Sequence, residues 1–282
     1  MTAAIICGLA ASVLISMSLL SSSRSIRMIG NFPVLAWVML VGLVVTLPWA
    51  LADGVPPSLA GVDGALLLLM AVCQVGGYLL VFVALKVGKV GVITPILATE
   101  GAVGAVFAML AGERLATAAL VMLAITVVGV VVAGAANDPF PIEGERPVLA
   151  VVLALVAALA WGLNLYLMGR LSTSLPVSWI VMAPRLLGVL VIALPLLLAG
   201  RLTLTRQAAP LVLLSGLAEV GVNVLIPLGA RTSIAVTDVL VAQYAVITPI
   251  AAWLLFRESL GRQQIVGATL LVIGVSGLAL LH

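Results

Sequence analysis

Long apolar runs follow one another along the whole chain, and only short polar breaks separate them. Of the 282 residues, 64% are hydrophobic and only 8% are charged. A typical soluble domain carries roughly 25% charged residues, so this chain has too few charges to coat a soluble globule. Because the same composition also excludes intrinsic disorder, the sequence predicts a protein that lies mostly within a lipid bilayer.

Ten of the runs are long enough to be transmembrane helices, each of which needs about 20 apolar residues. The run nearest the N-terminus is long and has no Lys or Arg before it, so it is interpreted as a first span rather than a signal peptide. Within the third span, the pair Gly76-Gly77 is expected to interrupt the helix. The predicted fold is an all-α membrane protein with ten transmembrane helices. Their approximate ranges are 2–20, 32–51, 64–84, 91–111, 117–135, 148–168, 177–199, 209–229, 236–256 and 264–281.

The longest polar stretch, residues 137–147, divides the chain into two halves of five predicted spans. The predicted organisation is a first five-helix repeat over residues 1–136 and a second over residues 148–282. Because each half contains an odd number of spans, the second half must enter the membrane in the opposite direction. The sequence thus predicts a 5+5 inverted repeat, an arrangement that many secondary transporters share.

Matching motifs in the two halves support this repeat. A Glu-Arg-Leu step at 113–115 follows the fourth span, and a Glu-Ser-Leu step at 258–260 follows the ninth, at an offset of 258 − 113 = 145 residues. Each motif glutamate lies just before the next helix, where a carboxylate can cap the helix and meet its positive end. Glu113 and Glu258 are therefore predicted to be structural.

With these motifs the chain resembles the EamA-like family of the drug/metabolite transporter superfamily. Further motifs carry the resemblance: an Ala-Leu-Lys step at 84–86, an Ala-Trp-Gly step at 160–162, and an arginine followed by an apolar run at 185–187. The first span lacks the family's Trp-Gly pair, and the second span lacks its arginine. The resemblance implies a secondary transporter of small organic solutes, often an exporter, that is driven by a proton gradient or by exchange.

Basic residues are concentrated in the odd-numbered connections between spans, which hold nine of them, whereas the even-numbered connections hold three. By the positive-inside rule, this bias places the odd connections in the cytoplasm and both termini outside. The resemblance instead implies cytoplasmic termini. The expected location is the cell membrane, as a multi-pass protein of a bacterial inner membrane. Expected partners of the monomer or homodimer are the lipid bilayer, a small-molecule solute and protons, and no nucleic acid, because the basic residues sit at helix ends.

Residues for catalysis or metal binding are scarce. The single histidine is His282, and the two cysteines, Cys7 and Cys73, fall inside apolar runs, as is typical of buried thiols. No metal, cofactor or catalytic residue is therefore predicted, and the chain is not expected to be an enzyme. A membrane-embedded lipid-modifying enzyme stays as an alternative, although such enzymes need clustered Asp, His or Ser nucleophiles near the membrane surface.

Three ionisable residues lie deep within the predicted spans: Glu100 in the fourth, Arg185 in the seventh and Glu219 in the eighth. An ionisable side chain at mid-bilayer is costly, so it normally has a function or a partner. Uncharged polar residues accompany them, either to line a cavity or to form hydrogen bonds between helices. These are Gln74, Tyr78, Asn164, Asn223, Gln243 and Tyr244.

The repeat aligns several of these polar residues. The offset of 145 residues matches Glu219 with Gln74 and Asn223 with Tyr78. Within each span the two residues are four apart, so they share one helical face. The offset also brings the polar pair of the ninth span level with Glu100. Polar residues of four spans are therefore expected to cluster at one depth, where inverted-repeat transporters bind their solutes.

The sequence predicts a secondary active transporter that works by alternating access, with the solute bound between the halves. Glu100 and Glu219 are predicted to take up and release protons, because a carboxyl group in a low-dielectric cavity holds its proton up to near-neutral pH. Arg185 is predicted to bind a carboxylate or phosphate group, or to neutralise one of the glutamates. A structural ion pair between Arg185 and Glu219 is the alternative role, and a passive channel or facilitator is the main alternative function.

Overall fold

Every regular element is helical in the part of the chain that this computed structural model describes. That part comprises residues 2–110, 145–172, 174–230, 243–256 and 261–281, with isolated positions between 118 and 132 and at 240–241. The α-helices are α1 (Thr2–Ile29), α2 (Asn31–Asp53), α3 (Val62–Val87), α4 (Val90–Leu97), α5 (Glu100–Leu110), α6 (Pro147–Leu171), α7 (Val177–Gly188), α8 (Leu194–Leu198), α9 (Ala209–Ala230), α10 (Tyr244–Phe256) and α11 (Arg262–Leu281). A short 3-10 helix, Pro57–Ala60, precedes α3, and a π-helical turn, Val189–Ala193, joins α7 to α8.

Among the described residues, six helices are long and apolar enough to cross a membrane. They are Ile5–Ile29, Asn31–Asp53, Val62–Val87, Pro147–Leu171, Val177–Leu198 and Ala209–Ile226. Two shorter apolar helices, Tyr244–Leu255 and Ile265–Gly274, come later in the chain. The predicted all-α, multi-pass architecture is confirmed, whereas the number of ten spans is not. The predicted fourth span consists of two short helices, and most of the fifth, together with Glu113 and Glu258, lies outside the described residues.

Helix α1 continues to Ile29, whereas the predicted first span ends near residue 20. The polar residues between the first two predicted spans, where a loop is expected, include four serines that are instead buried inside the helix: Ser21, Ser22, Ser23 and Ser25. Ser25 shows why this is tolerated, because its Oγ donates a 2.8 Å hydrogen bond to the backbone carbonyl of Ser21 within the same helix. The chain turns only at Gly30, whose positive φ of 89° favours glycine.

The predicted fourth and ninth spans are interrupted at matching positions. In the first half, α4 ends at Leu97, and a turn at residues 98–99 precedes Glu100, the first residue of α5. In the second half, a turn at Gln243 precedes Tyr244, the first residue of α10. Position 243 aligns with position 98 under the offset of 145 residues. Both halves therefore begin a new helix segment in the middle of a predicted span.

The expected interruption at Gly76-Gly77 is wrong, because α3 runs through both residues. Gly77 serves a close contact between helices instead. A Cβ atom there would lie only 2.3 Å from Nε1 of Trp161 in α6. The glycine therefore lets α6 approach α3 closely, which is a common use of small residues in membrane helices.

In the described part of the chain, the main helix contacts join one half to the other. Helix α1 packs against α9, α3 against α6, α2 against α7, and α4 against α10. Under the repeat offset, α1 corresponds to α6 and α3 corresponds to α9, so the α1–α9 and α3–α6 contacts are equivalent. This pairing is the one that a two-fold relation between the halves requires, and it brings the polar residues of both halves to a shared interior.

Candidate functional site

The Glu219 carboxyl group is held between helices of both halves. It lies in the middle of α9. Its Oε1 accepts a 2.8 Å hydrogen bond from Ser18 Oγ in α1. Its Oε2 accepts a hydrogen bond from the Tyr78 hydroxyl in α3. Both carboxyl oxygens are thus occupied by hydroxyl donors from the first half of the chain.

The second glutamate, Glu100, belongs to the first half and accepts a hydrogen bond from the second half. As the first residue of α5, it lies at a helix N-terminus, where the helix dipole favours a negative charge. The hydroxyl of Tyr244, the first residue of α10, lies 3.4 Å from Glu100 Oε1 and donates to it. The start of α5 packs against Gly162, next to Trp161, whose ring contacts the Tyr78 that donates to Glu219. The two carboxyl groups therefore belong to one polar cluster.

Each carboxyl–tyrosine pair crosses between the halves, and the two pairs cross in opposite senses. Tyr78 of the first half donates to Glu219 of the second, whereas Tyr244 of the second half donates to Glu100 of the first. Both pairs are formed by spans that correspond under the repeat, the third with the eighth and the fourth with the ninth. Separation of the halves at this depth would break both hydrogen bonds.

The Arg185 guanidinium lies beside this cluster and is 3% exposed. It donates to the backbone carbonyl of Val181 at 2.9 Å and to that of Glu219 at 3.5 Å. Within the described residues, it contacts no carboxylate at ion-pair distance, so the structure gives the Arg185–Glu219 contact as a backbone hydrogen bond instead of a carboxylate ion pair. The helix α2 backbone lies against its stem, since a Cβ atom at Gly42 would come within 2.8 Å of Arg185 Cγ.

The four uncharged polar residues other than the tyrosines lie in different places. Gln74 lies one helical turn before Tyr78 in α3, and its side chain is buried. Asn223 Nδ2 donates to the Glu219 backbone carbonyl at 2.7 Å. Gln243 Nε2 reaches Ser276 Oγ in α11 at 3.5 Å. Asn164 Oδ1 is buried without a hydrogen-bond partner among the described residues. Gln74 and Asn223 thus lie beside the carboxyl cluster, each one helical turn from a residue that belongs to it, whereas nothing in the sequence distinguishes them from Gln243 and Asn164.

Trp161 and Gly162 of the Ala-Trp-Gly step pack against the polar cluster. This role was not predicted from the sequence. The Trp161 ring packs edge-on against Tyr78 at a centroid distance of 5.1 Å. Its Nε1 donates to the Gln74 backbone carbonyl at 3.3 Å. A Cβ atom on Gly162 would lie 2.8 Å from the Glu100 backbone oxygen. Trp161 therefore orients the Tyr78 ring, and the absence of a side chain at Gly162 leaves room for the N-terminus of α5.

Serine residues of α1 and α9 are the second group that sequence reasoning missed. Ser18 Oγ lies 3.0 Å from Ser215 Oγ, and Ser215 Oγ lies 2.7 Å from Ser22 Oγ. The signal was present in the sequence, because Ser18 and Ser22 are four residues apart and therefore share one helical face. Ser22 lies in the break between the first two predicted spans, where a loop is expected, so this helical periodicity was missed.

Alanine substitutions at the two adjacent glycines of α3 test the support that Trp161 gives to Tyr78. Gly77→Ala is expected to lower the free energy of unfolding by about 1–3 kcal/mol, because the added methyl group overpacks against the Trp161 indole. Gly76→Ala is the matched control, since nothing lies within 4 Å of its added Cβ atom. The melting temperature in detergent and the tryptophan emission spectrum measure both effects. Equal melting temperatures for the two variants would contradict the close contact.

Comparison with known proteins identifies a matching family and a similar solved structure. The profile of the EamA-like transporter family matches residues 2–135 and again residues 148–280. One solved crystal structure matches 98% of this chain over 96% of its own chain, with a TM-score of 0.65 and 19% sequence identity, which shows a shared fold. Among curated proteins, none matches significantly. The two family matches span the chain as two repeats, and the apolar helices indicate a multi-pass membrane protein. The chain therefore belongs to the EamA-like transporter family, a family of membrane transporters for small solutes.

Proposed function

We propose that this protein is a secondary active transporter that moves a small organic solute across the membrane by alternating access, with Glu100 and Glu219 as proton carriers. The observation that carries the proposal is the pair of carboxyl–tyrosine hydrogen bonds that cross between the halves in opposite senses. In this view the fold has ten spans in a 5+5 inverted repeat, with residues 1–136 and 148–282 as the two repeats and residues 137–147 as their connection.

Protonation gives these hydrogen bonds a role in alternating access. An ionised carboxylate accepts hydrogen bonds on both oxygens, whereas a protonated carboxyl group uses one oxygen as a donor. Protonation of Glu219 therefore forces either Ser18 or Tyr78 to reorient. Since both of these residues belong to the first half, protonation replaces charge-assisted hydrogen bonds between the halves with weaker neutral ones. Proton binding and opening of one side of the site are coupled by this exchange of donors.

The solute site lies beside the carboxyl cluster in this proposal. Inverted-repeat transporters bind their solutes near mid-membrane, where interrupted helices meet, and both α5 and α10 begin at that depth. Arg185 keeps guanidinium N–H groups beyond the two that bond to backbone carbonyls, so it is suited to a carboxylate or phosphate group. Asn164 supplies a buried amide oxygen that can accept a hydrogen bond. No metal or cofactor has a role in this mechanism.

The family and the polar interior favour this function over the alternatives. Within the described residues, no group of three or more His, Cys, Asp or Glu side chains could hold a metal ion. A passive facilitator would use the same fold, but it would need no ionisable groups at the crossing between the halves. The location that goes with the proposal is a bacterial inner membrane, with the lipid bilayer, a small solute and protons as the partners of a monomer or homodimer.

Transport by the reconstituted protein tests the proposal. A thermal-shift screen of amino acids, nucleosides and cationic drugs first identifies the compound that raises the melting temperature most. The radiolabelled compound is then offered to proteoliposomes with and without an imposed pH gradient. We expect accumulation beyond equilibrium that requires the gradient and that a protonophore abolishes, with empty liposomes as the control. Equilibration without accumulation under any imposed proton or solute gradient would instead assign the protein as a facilitator.

A further inference from the structure

A continuous row of serine hydroxyl groups leads away from the Glu219 carboxyl group. Ser18 Oγ lies 2.8 Å from Glu219 Oε1, Ser215 Oγ lies 3.0 Å from Ser18 Oγ, and Ser22 Oγ lies 2.7 Å from Ser215 Oγ. We call these three residues the serine row. Each distance is within the normal range for a hydrogen bond between oxygen atoms. The row alternates between α1 and α9, so it depends on how the first half packs against the second.

The serine row is buried along its whole length. Ser18 is 3% exposed, Ser22 is 1% exposed and Ser215 is fully buried. Lipid and bulk water are therefore excluded from the hydroxyl groups, and each hydroxyl finds its partner within the protein. Such a row offers a proton a hydrogen-bonded route through an otherwise apolar interior.

The serine row runs from the middle of the membrane towards one membrane face. Ser22 lies one helical turn beyond Ser18, a rise of about 6 Å along α1. Two further turns bring α1 to its end, where Arg24 and Arg27 are exposed. Past Ser22, the hydroxyl groups of Ser23 and Ser25 are buried but do not extend the row, because Ser25 donates to the backbone carbonyl of Ser21 and Ser23 Oγ has no hydrogen-bond partner among the described residues. The row therefore starts at a mid-membrane carboxyl group and points towards an exposed, basic helix end.

The hydroxyl groups can all be oriented consistently towards the carboxylate. Ser22 donates to Ser215, Ser215 donates to Ser18, and Ser18 donates to Glu219 Oε1, so every serine donates once. Both serine–serine contacts permit either atom to be the donor. The opposite orientation is therefore also available, with a protonated Glu219 donating to Ser18. A route that carries protons in both directions needs this reversibility.

From this geometry we infer that the serine row is the proton relay between Glu219 and the membrane face at the C-terminal end of α1. The inference rests on the proposed function of Glu219 as a proton carrier. When Oε1 gains a proton, it comes from Ser18, whose O–H bond breaks as its oxygen receives a proton from Ser215. Ser215 receives a proton from Ser22, and Ser22 receives one from a hydronium ion when the C-terminal end of α1 opens to water during alternating access. One proton moves in total, and every serine ends as a neutral hydroxyl group.

Hydrogen bonding between helices is the competing role for these serines, and the chain contains a suitable comparison. Ser16 Oγ, also buried in α1, lies 2.9 Å from Thr248 Oγ1 in α10. This contact matches the serine row in helix, burial and length, but it does not reach the Glu219 carboxyl group. Ser16→Ala therefore removes a similar hydrogen bond between helices and leaves the proposed relay complete.

The rate at which Glu219 gains a proton measures the relay without any solute. Purified protein in lipid nanodiscs is subjected to a rapid pH jump, and the carboxyl C=O band is followed by time-resolved infrared spectroscopy. Glu219→Gln identifies which part of the signal belongs to Glu219. The charged or titratable groups around it are Tyr78 of α3, Arg185 of α7 and Glu100 of α5. All of them are unchanged in the serine variants.

Ser215→Ala is expected to slow the protonation of Glu219 by at least about tenfold, because proton transfer requires hydrogen-bond contact at each step. The midpoint of the titration is expected to stay unchanged, since Ser215 does not contact the carboxyl group. Ser215→Thr, which restores a hydroxyl group, is expected to recover the rate, and Ser16→Ala is expected to keep it. If Ser215→Ala does not fold, Ser22→Ala breaks the same row at its outer member.

The outcomes separate the relay from the function on which it rests. If Glu219→Gln removes no part of the infrared signal, Glu219 does not exchange protons, and its proposed function fails together with the relay. If Glu219 exchanges protons at the parental rate in both Ser215→Ala and Ser22→Ala, only the relay is overturned. An equal slowing by Ser16→Ala and Ser215→Ala would assign the serines to helix packing.

Discussion

Glu219→Gln is expected to reduce proton-driven solute accumulation by about 100-fold or more, the scale at which a positioned proton carrier contributes. Glutamine has nearly the same shape as glutamate, so its amide oxygen can still accept a hydrogen bond from Ser18 or Tyr78. It cannot take up a proton near neutral pH. Exchange of labelled for unlabelled solute, in the absence of a pH gradient, is therefore expected to continue. Both processes are measured in the same proteoliposome preparation.

Two further carboxyl groups serve as comparisons for Glu219→Gln. Asp63 lies in the first turn of α3, away from the cluster, so Asp63→Asn is expected to leave driven accumulation unchanged. Glu100, the other proposed proton carrier, accepts a 3.4 Å hydrogen bond from Tyr244, and Glu100→Gln is expected to reduce driven accumulation as well. Full accumulation by the Glu219→Gln variant would remove this residue from the coupling mechanism. Loss of both accumulation and exchange would make Glu219 a solute-binding residue instead.

Composition and hydrophobic runs were sufficient to predict the class of fold. Scarcity of charge excludes a soluble protein, and the repeated motifs indicate two related halves, as the family match at residues 2–135 and 148–280 now shows. The same scarcity reduced the candidate site to a few residues, because only Glu100, Arg185 and Glu219 lie deep in the predicted spans. The structure brings all three into one cluster. These three residues could be identified from the sequence alone, because a charged side chain within a bilayer is costly and normally has a function or a partner.

Pairing within the cluster could not be predicted in the same way. The repeat offset aligns Glu219 with Gln74, yet the carboxyl group bonds to Tyr78, one turn further along α3. Equivalence under a repeat gives residues at the same depth, whereas a hydrogen bond depends on the rotation of each helix and on side-chain length. The sequence periodicity of a helix shows which of its residues share a face, but it does not show how the neighbouring helix is rotated.

Small polar residues were the other source of error. A run of serines resembles a loop in a hydropathy scan, because a scan does not register that a serine hydroxyl can bond to its own helix. In α1 this ability extends the helix to Ile29 and places Ser18 and Ser22 against α9. The Gly76-Gly77 pair shows the converse error, since a glycine that could break a helix in water is used here for close packing against Trp161.

Arg185→Met is expected to separate stability from solute binding. Arg185→Met replaces a buried charge, which is costly to keep away from water, by an apolar side chain of similar length, and the Arg185 guanidinium is buried against backbone carbonyls without a carboxylate at ion-pair distance among the described residues. We therefore expect a melting temperature equal to or above that of the parent. Affinity for a solute with a carboxylate or phosphate group is expected to fall about 10- to 100-fold, as for loss of a charge-assisted hydrogen bond.

A substitution at Gly42 tests the position of the same guanidinium while its charge is kept. The added Cβ atom of Gly42→Ala would lie within 2.8 Å of Arg185 Cγ, so the side chain must shift. We expect a weaker affinity than that of the parent, whereas Arg170→Met, at an exposed arginine near the end of α6, is expected to retain it. Thermal shift and equilibrium binding of the identified solute measure all three variants. A large loss of stability in Arg185→Met with unchanged affinity would assign the arginine to helix packing, because a guanidinium that binds the solute must matter more to affinity than to folding.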